Sequence, residues 1–402
     1  MRMQKKQWKA LLMLGLAASV SLSPACPLEV TAWAGVSGGL TEYGEEELER
    51  YRDDTLEYEE IPGLIELYNS AFLNQLDSLN KNPGSSTGLS RDQLLSMASD
   101  LREEAQRLSR EADEQKDDLT KEEYQEYQDN IRELKLYAVN LEKDAEGTPS
   151  GWRTLKELQK TQTRSACGMM REYQKLSSQS EIRGKELEAA RMEYETALRK
   201  QELNLYSGED VLAAREALNA AEAADSEAKK EEAARKQELL TTLGWNYDAD
   251  PEIRKVPEAD PARASGYQPE TDSETAILNN YTLMEKRRTG ASGFGGQNEK
   301  NRQLKELEDS VRASMDQLYQ QVLQKESALK AASTEFEAAS AAMAAADQKN
   351  RMGMLSRQEY LNQEIAYLTA RASKEAADLD LTAAMEDYEW AIQGLLSIGG
   401  ES

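Results

Sequence analysis

No histidine occurs anywhere in the 402-residue chain. Its absence excludes Ser-His-Asp and Cys-His nucleophilic catalysis, imidazole proton transfer and the commonest zinc ligand. The 74 acidic residues will form close carboxylate pairs by chance on helix surfaces, so such pairs do not by themselves indicate a hydrolase. We therefore predict that the protein is not an enzyme and has no catalytic residue, metal or other cofactor.

The chain also lacks an apolar run long enough to favour a membrane-spanning helix. The apolar run near its start, from Ala10 to Leu22, is too short for this. Four basic residues precede it: Arg2, Lys5, Lys6 and Lys9. This arrangement predicts a secretory signal over residues 1–34, cut after Ala34, so that the mature chain begins at Gly35. Lipid attachment at Cys26 is the alternative to this cleavage. Either way, the chain is expected to be exported.

Cysteine and positive charge are both scarce. Loss of the signal leaves Cys167 as the one cysteine, so no intrachain disulfide can form, and we interpret it as a small buried helix residue. The formal net charge is −25. Such an acidic surface repels nucleic acid and anionic lipid headgroups, so neither is expected as a direct partner.

Proline is confined to nine positions, and the stretches 84–148, 150–250 and 270–402 contain none. Because a proline inside a helix costs about 3 kcal/mol, its absence indicates where long helices are allowed. These stretches are rich in good helix formers, and β-branched residues never alternate over the length of a strand. The predicted fold class is all-α, with long coiled-coil helical hairpins and no clear β-strands.

Apolar residues in the last proline-free stretch recur at spacings of three and four, as in a coiled-coil seam. They are Leu304, Leu307, Val311, Met315, Leu318, Val322, Leu329, Ala332, Phe336 and Met343. A single helix over 297–352 would be about 84 Å long, too long for a compact core. A looser stripe of the same kind predicts another long helix from Trp152 to Leu205.

Each long helix is predicted to double back at a turn that contains Ser-x-x-acid. In this pattern the serine caps the next helix, and the acid reaches back to the amide of the serine. Gly353 suits the left-handed end of the incoming helix, whereas Gly208 lies after its cap. The first turn contains Leu205, Tyr206, Ser207, Gly208 and Asp210, and the second contains Gly353, Met354, Leu355, Ser356, Arg357 and Glu359.

The two turns are 149 residues apart, and apolar residues around them match at the same offset. The matching pairs are Leu203 with Met352, Leu205 with Met354, Leu212 with Leu361, Leu218 with Tyr367, Ala221 with Ala370, Leu239 with Tyr388, and Leu243 with Ile392. The sequence therefore predicts an internal duplication of a helical hairpin.

The duplication divides the mature chain into two repeats joined by a proline-rich connector. Each repeat is predicted to open with a shorter helix, Ile61 to Leu79 and Ser273 to Arg288. Ser90 and Thr120 are predicted caps of a helical hairpin inserted in the first repeat. The predicted segments are a flexible acidic stretch (35–55), the first repeat (56–243) with its insertion (88–146), the connector (244–272), the second repeat (273–398) and a tail (399–402).

A glycine-rich stretch, Gly290 to Gly296, lies before the second long helix. It follows no predicted strand and lacks the lysine of a phosphate-binding loop. We interpret it as a flexible joint.

The segment from Arg351 to Leu361 resembles the tip motif of the TolC-like outer-membrane efflux factor family, in which a small-residue turn precedes an acid and then a leucine. Leu64 to Asn69 resembles the opening helix of that family. The twice-repeated order of short helix, long helix, turn and Ala-rich helix resembles the family's plan. Glu359 matches an acidic tip position, and Asn362 stands where some members have a further acid.

The resemblance implies a homotrimer in which two repeats from each of three chains form a hollow α-helical tube. It implies that the two turns form a tip that docks an adaptor (membrane-fusion) protein, and that the tube passes substrates delivered by an inner-membrane exporter. Members that cross an outer membrane insert strands into it, and none is predicted near 147–165 or 289–300. A relative without such strands is expected, at the outer membrane or on the extracytoplasmic face of a single-membrane cell.

A different class of protein also fits the helical pattern. A secreted coiled-coil protein with a structural or surface-interaction role would use the same seams to bind another helix. It would form a solid rod and have no transport role.

Overall fold

The computed structural model describes residue 41 and residues 43–81, 89–114, 120–147 and 149–396. The predicted signal, Cys26 and the tail lie outside the described residues. The part of the chain that is described is almost entirely helical, which confirms the all-α fold class. None of its helices combines the length and the apolar character that crossing a membrane requires.

The described elements follow one another in an order that repeats the same plan twice. In chain order they are α1 (Glu45–Arg50), β1 (Thr55–Leu56), α2 (Ile61–Tyr68), α3 (Ser70–Lys81), α4 (Arg91–Glu114), α5 (Lys121–Ala145), α6 (Pro149–Glu202), α7 (Gly208–Thr242), β2 (Glu252–Ile253), α8 (Pro261–Ala264), α9 (Pro269–Asn279), α10 (Tyr281–Arg288), α11 (Gly293–Arg351) and α12 (Arg357–Ile392). A 3₁₀ turn, Tyr58–Glu60, leads into α2.

Two long hairpins, α6–α7 and α11–α12, dominate the structure. Both long helices begin before their predicted starts at Trp152 and residue 297. Pro149 is tolerated as the first residue of α6 because that position needs no amide donor. The glycine-rich stretch is therefore not wholly a joint, because α11 already begins at Gly293.

The inserted hairpin, α4–α5, packs mainly on itself. Its buried residues recur at spacings of three and four or their sums: Leu94, Ala98, Ala105, Leu108 and Ala112 in α4, and Ile131, Ala138 and Ala145 in α5. Both predicted caps are present, because Ser90 and Thr120 exchange hydrogen bonds with Gln93 and Glu123. The hairpin is thus a small coiled coil attached to the first repeat.

The opening helix of each repeat is broken at an asparagine, although the sequence predicted a single helix in each place. Asn69 and Asn280 have extended backbones, and each side-chain oxygen accepts from the main-chain N–H of the third residue on. Each side-chain amide donates to a main-chain carbonyl at the end of the same repeat, Thr242 and Leu396 respectively. These distant carbonyls hold the break in place, so local helix propensity does not decide it.

The N-terminal segment and the connector are tied together by a short parallel pairing. Thr55 pairs with Glu252, and Leu56 pairs with Ile253. The sequence predicted neither this pairing nor α1, because each strand is only two residues long and satisfies its backbone through a segment far away in the chain. The connector also contacts both hairpins, since the amide of Val256 donates to Gln174 in α6 and the amide of Ala259 donates to Asp378 in α12.

The four long helices pack side by side in the order α7, α6, α12, α11. In the middle of this layer α6 and α12 run antiparallel. The main partner of α7 is α6, and α11 packs on α12 and, near its own start, on α9 and α10. Among the residues that the structure describes, no further helix packs along most of the length of either outer helix, so both edges of the layer are open.

The larger apolar cores lie at the end of the layer away from the turns, which we call the base. The first core joins α2 and α3 to the start of α6 and the end of α7, and includes Leu64, Phe72 and Leu243. The second joins α9 and α10 to α11 and the end of α12, and includes Leu283 and Tyr388. Toward the turns only narrow seams remain buried, so surface chemistry dominates there.

Candidate docking site at the hairpin turns

The same backbone geometry ends α6 and α11. Asn204 has a φ of 56° and Gly353 has a φ of 69°, both in the left-handed region. The next amide in each turn donates back across the helix end, from Leu205 to Lys200 and from Met354 to Lys349. This is the Schellman arrangement, in which these bonds satisfy the last helix carbonyls.

Asn204 is a turn residue that the sequence analysis missed. Gly208 is instead the first residue of α7, so it does not supply the left-handed position. Asparagine adopts this conformation more readily than other residues with a Cβ atom, because its short polar side chain bonds locally. The signal was present in the sequence, since Asn204 lies 149 residues before Gly353.

Both predicted capping boxes are present. The Ser207 hydroxyl accepts from the amide of Asp210 at 3.3 Å, and the Asp210 carboxylate accepts from the amide of Ser207 at 2.8 Å. Ser356 and Glu359 do the same at 3.2 and 2.9 Å. The hydrogen bond from the main-chain N–H of each serine holds the pKa of the paired carboxyl below its ordinary value, and the hydrogen bond from the serine hydroxyl lowers it further. Both turns are therefore rigid at the start of the outgoing helix.

Apolar side chains project into solvent from both turns. Leu205 is 69% exposed and its equivalent Met354 is 71% exposed. Leu203, Leu212 and Met352 are also largely exposed. Exposed apolar side chains are thus grouped at each turn separately, and such groups are typical of an interaction site.

The Tyr206 side chain in the first turn is held in place by Lys200. The Lys200 ammonium lies 4.4 Å from the centre of the Tyr206 ring, and it donates to the tyrosine hydroxyl. This cation–π contact keeps the ring against the end of α6.

The two turns lie at different positions along the layer. Arg357, just after the second turn, donates to the Glu188 carboxylate of α6 at 2.8 Å. Glu188 precedes Asn204 by 16 residues, which is about 24 Å of helix. No hydrogen bond or ion pair among the described residues joins the turns to each other. The first turn therefore projects beyond the second turn along the layer, and the second turn lies beside α6.

Ion pairs and hydrogen bonds fix this offset between the repeats. Several connect α6 to α12 along their length: Glu188 with Arg357, Lys185 with Glu364, Glu181 with Arg371, Ser178 with Glu375, Lys175 with Asp380, and Arg171 with Glu386. Lys325 of α11 also donates to Asp380. Burial alone would raise the pKa of Asp380, but the hydrogen bonds from the two lysines lower it. Charge complementarity therefore sets the register of the two hairpins.

The innermost of these pairs is a buried network. The Tyr58 hydroxyl donates to Glu386 at 2.6 Å, and Arg171 donates to both. Cys167 lies beside this network, and burial raises the pKa of its thiol to about 12. The thiol is therefore a neutral packing group, as the sequence predicted.

Within the described ranges, no group of three or more His, Cys, Asp or Glu side chains is placed to hold a metal ion. The turns carry hydrophobic and capping groups and have no catalytic arrangement. What the turns present chemically is exposed apolar surface beside two capped helix ends.

No family model matches the chain, and no curated protein matches it. Solved structures similar to it include the outer-membrane channel OprN, with 14% identity, a TM-score of 0.41 and coverage of 93% of this chain and 99% of the other. The Campylobacter jejuni CmeC outer membrane channel has 12% identity, a TM-score of 0.36 and coverage of 67% and 68%. The Vibrio cholerae outer membrane protein VceC has 12% identity, a TM-score of 0.39 and coverage of 65% and 76%. TM-scores this low carry no function across to this chain.

Proposed function

We propose that the chain is one subunit of an exported, TolC-like conduit. In this proposal three copies form a helical tube that docks an adaptor protein and passes substrates delivered by an inner-membrane pump. The observation that carries the proposal is the open layer α7–α6–α12–α11, along most of whose two edges no other helix packs within the described part of the chain. A layer with two open edges needs further copies to close.

Both open edges carry exposed alanines at coiled-coil spacing. On α7 they are Ala213, Ala217 and Ala220, and on α11 they are Ala328, Ala331, Ala338, Ala342 and Ala345. Small side chains at spacings of three and four allow a neighbouring helix to approach closely. We infer that α7 of one copy packs against α11 of the next copy.

The two edges are different helices, so contacts between copies are head-to-tail. Head-to-tail contacts form a ring when the rotation between copies closes. The number three comes from the family resemblance. The projecting first turn would then lie at one rim of the tube, with Leu205 and its exposed neighbours available to an adaptor.

The alternative is a secreted coiled-coil interaction protein without a transport role. The unequal positions of the two turns favour it, because an even rim would suit docking around a tube better. In that case the alanine stripes would bind one partner helix each, and no lumen would form.

Negative-stain imaging of the exported chain, together with its solution mass from light scattering, separates the two. The conduit predicts threefold particles with a central channel and three times the mass of the mature chain. Monomers or solid dimeric rods would contradict it. Ala217→Arg should break the ring, whereas Ala223→Arg, which projects about 80° away from the alanine stripe of the same helix, should leave it intact.

A further inference from the structure

A short segment at the base of the molecule is locally basic, although Glu285, Glu306, Glu308 and Asp309 flank it directly. Residues 286–305 contain six basic residues and one acidic residue, Glu299, although the formal net charge of the chain is −25. The basic residues are Lys286, Arg287, Arg288, Lys300, Arg302 and Lys305. They lie at the end of α10, in the following loop and at the start of α11.

Ion pairs neutralise the arginines of this segment but not its lysines. Arg287 pairs with Glu308 at 2.9 Å, Arg302 pairs with Glu299, and Arg288 lies 3.9 Å from Glu285. Among the described residues, Lys286, Lys300 and Lys305 have no carboxylate within ion-pair distance. Three lysine charges in this segment are therefore not neutralised by an ion pair.

Two of these lysines line a shallow cavity of about 500 Å³ between α10 and α11. The Lys300 ammonium donates to the main-chain oxygens of Arg287 and Thr289, at 2.8 and 2.6 Å, and this fixes it at the cavity wall. Lys286 and Glu299 line the same cavity, together with Gly290 and Gly296, and Glu299 is ion-paired with Arg302. The lysine charges are thus held together on one surface.

An exposed aromatic side chain lies in the same segment of the chain, at the start of α11. Phe294 is 85% exposed, although the chain has only three phenylalanines. Its neighbours Gly293 and Gly295 leave open space around the backbone. Exposed aromatic side chains and lysines in one segment are the side-chain types that lie at a lipid–water interface.

We propose that this end of the chain docks on an anionic lipid membrane, with Lys286 and Lys300 at headgroup phosphates and Phe294 in the interface. From the net charge of the chain we expected no binding to anionic lipid. However, charges more than about 8 Å away from the membrane surface are screened at physiological salt. Most of the acidic helix surface lies beyond that distance, because α11 alone extends for about 88 Å. The local sign of charge decides the interaction.

This docking leaves the hairpin turns free. Phe294 lies at one end of α11, and the second turn lies at the other. The inference does not depend on the tube, since a single chain already carries the whole patch.

Co-sedimentation of the exported full chain with vesicles tests the proposal. One vesicle set contains equal parts of phosphatidylglycerol and phosphatidylcholine, and the other contains phosphatidylcholine alone. Binding is expected on the anionic set and should weaken with added salt. Each lysine near the surface contributes about a five-fold change in partition, so Lys286→Gln with Lys300→Gln should lower binding by roughly 25-fold. Phe294→Ser should also lower it.

The matched control removes the same number of lysine charges from another part of α11. Lys330→Gln with Lys349→Gln removes two exposed lysines nearer the second turn, and it should leave vesicle binding unchanged. Equal losses in both double variants would overturn the proposal, because they would assign binding to net charge alone. Equal binding to both vesicle sets would also overturn it, as would binding to soluble polyphosphate without binding to vesicles.

Discussion

Asn204 and Gly353 hold the same left-handed backbone position, 149 residues apart, at the ends of α6 and α11. One is a residue with a Cβ atom and the other is a glycine, so the duplicated turns have different intrinsic costs. A left-handed residue with a side chain costs roughly 1–2 kcal/mol, less for asparagine. The two turns therefore allow a direct measurement of that cost.

Replacing glycines with alanine should separate backbone strain from steric overlap. Gly353→Ala should lower the free energy of unfolding by about 1 kcal/mol, because its φ is positive but nothing lies within 4 Å of a new Cβ atom. Gly244→Ala should cost more, roughly 2–5 kcal/mol, because the new atom would lie 2.3 Å from Tyr68 Cβ at the base. Urea unfolding measures both. Gly290→Ala is the control, and a cost for Gly244→Ala no greater than that for Gly353→Ala would contradict the packing of the base.

The capping boxes should make the turns sensitive to acid. The pKa values of Asp210 and Glu359 are lower in the folded chain than in the unfolded chain, so each carboxylate stabilises the fold above its unfolded pKa. That contribution is lost as the pH falls through the lower folded pKa, below about pH 4. Ser356→Ala should return the pKa of Glu359 toward its ordinary value, as measured by carboxyl NMR titration. Ser327→Ala, whose hydroxyl bonds a carbonyl of its own helix, should not change it.

The buried network between the repeats should depend on both charged partners. Arg171 is 11% exposed and Glu386 is 20% exposed, so Arg171→Met leaves a carboxylate without its counter-charge and should cost about 3–5 kcal/mol of unfolding free energy. The double variant with Glu386→Met should recover much of that loss. Denaturant unfolding measures both variants, with Arg199→Met of the exposed pair Arg199–Glu195 as the control. If Arg171→Met lowered the free energy of unfolding no more than Arg199→Met does, the network would not join the repeats.

Because the first turn projects beyond the second, it should make the stronger contact with any partner. A photo-reactive residue at position 205 should give a cross-linked product in intact cells, and one at position 354 should give less. Leu205→Asp should lower the yield of partner capture by roughly ten-fold, because an exposed leucine that becomes buried contributes about 1.5–3 kcal/mol. The control position is Leu278, which is also exposed but lies at the base. Equal cross-linking at 205 and 278 would contradict docking at the turn.

Most of the local structure followed from the sequence. The seam from Leu304 to Met343, the caps Ser207 and Ser356, and the offset of 149 residues predicted the helices, their turns and the duplication. Patterns of this kind act over three or four residues, so a single sequence carries them completely. The left-handed Asn204 was within reach as well, through its offset from Gly353.

Composition and short-range periodicity were enough to predict a helical, duplicated chain without catalytic histidine chemistry. The breaks at Asn69 and Asn280, the order α7–α6–α12–α11 and the set-back of the second turn became visible only in the folded chain. Each of these depends on partners more than a hundred residues apart, such as Asn69 with Thr242 or Glu188 with Arg357. No local pattern specifies which of many similar charged and apolar side chains will meet across that distance; the packing of the whole chain does.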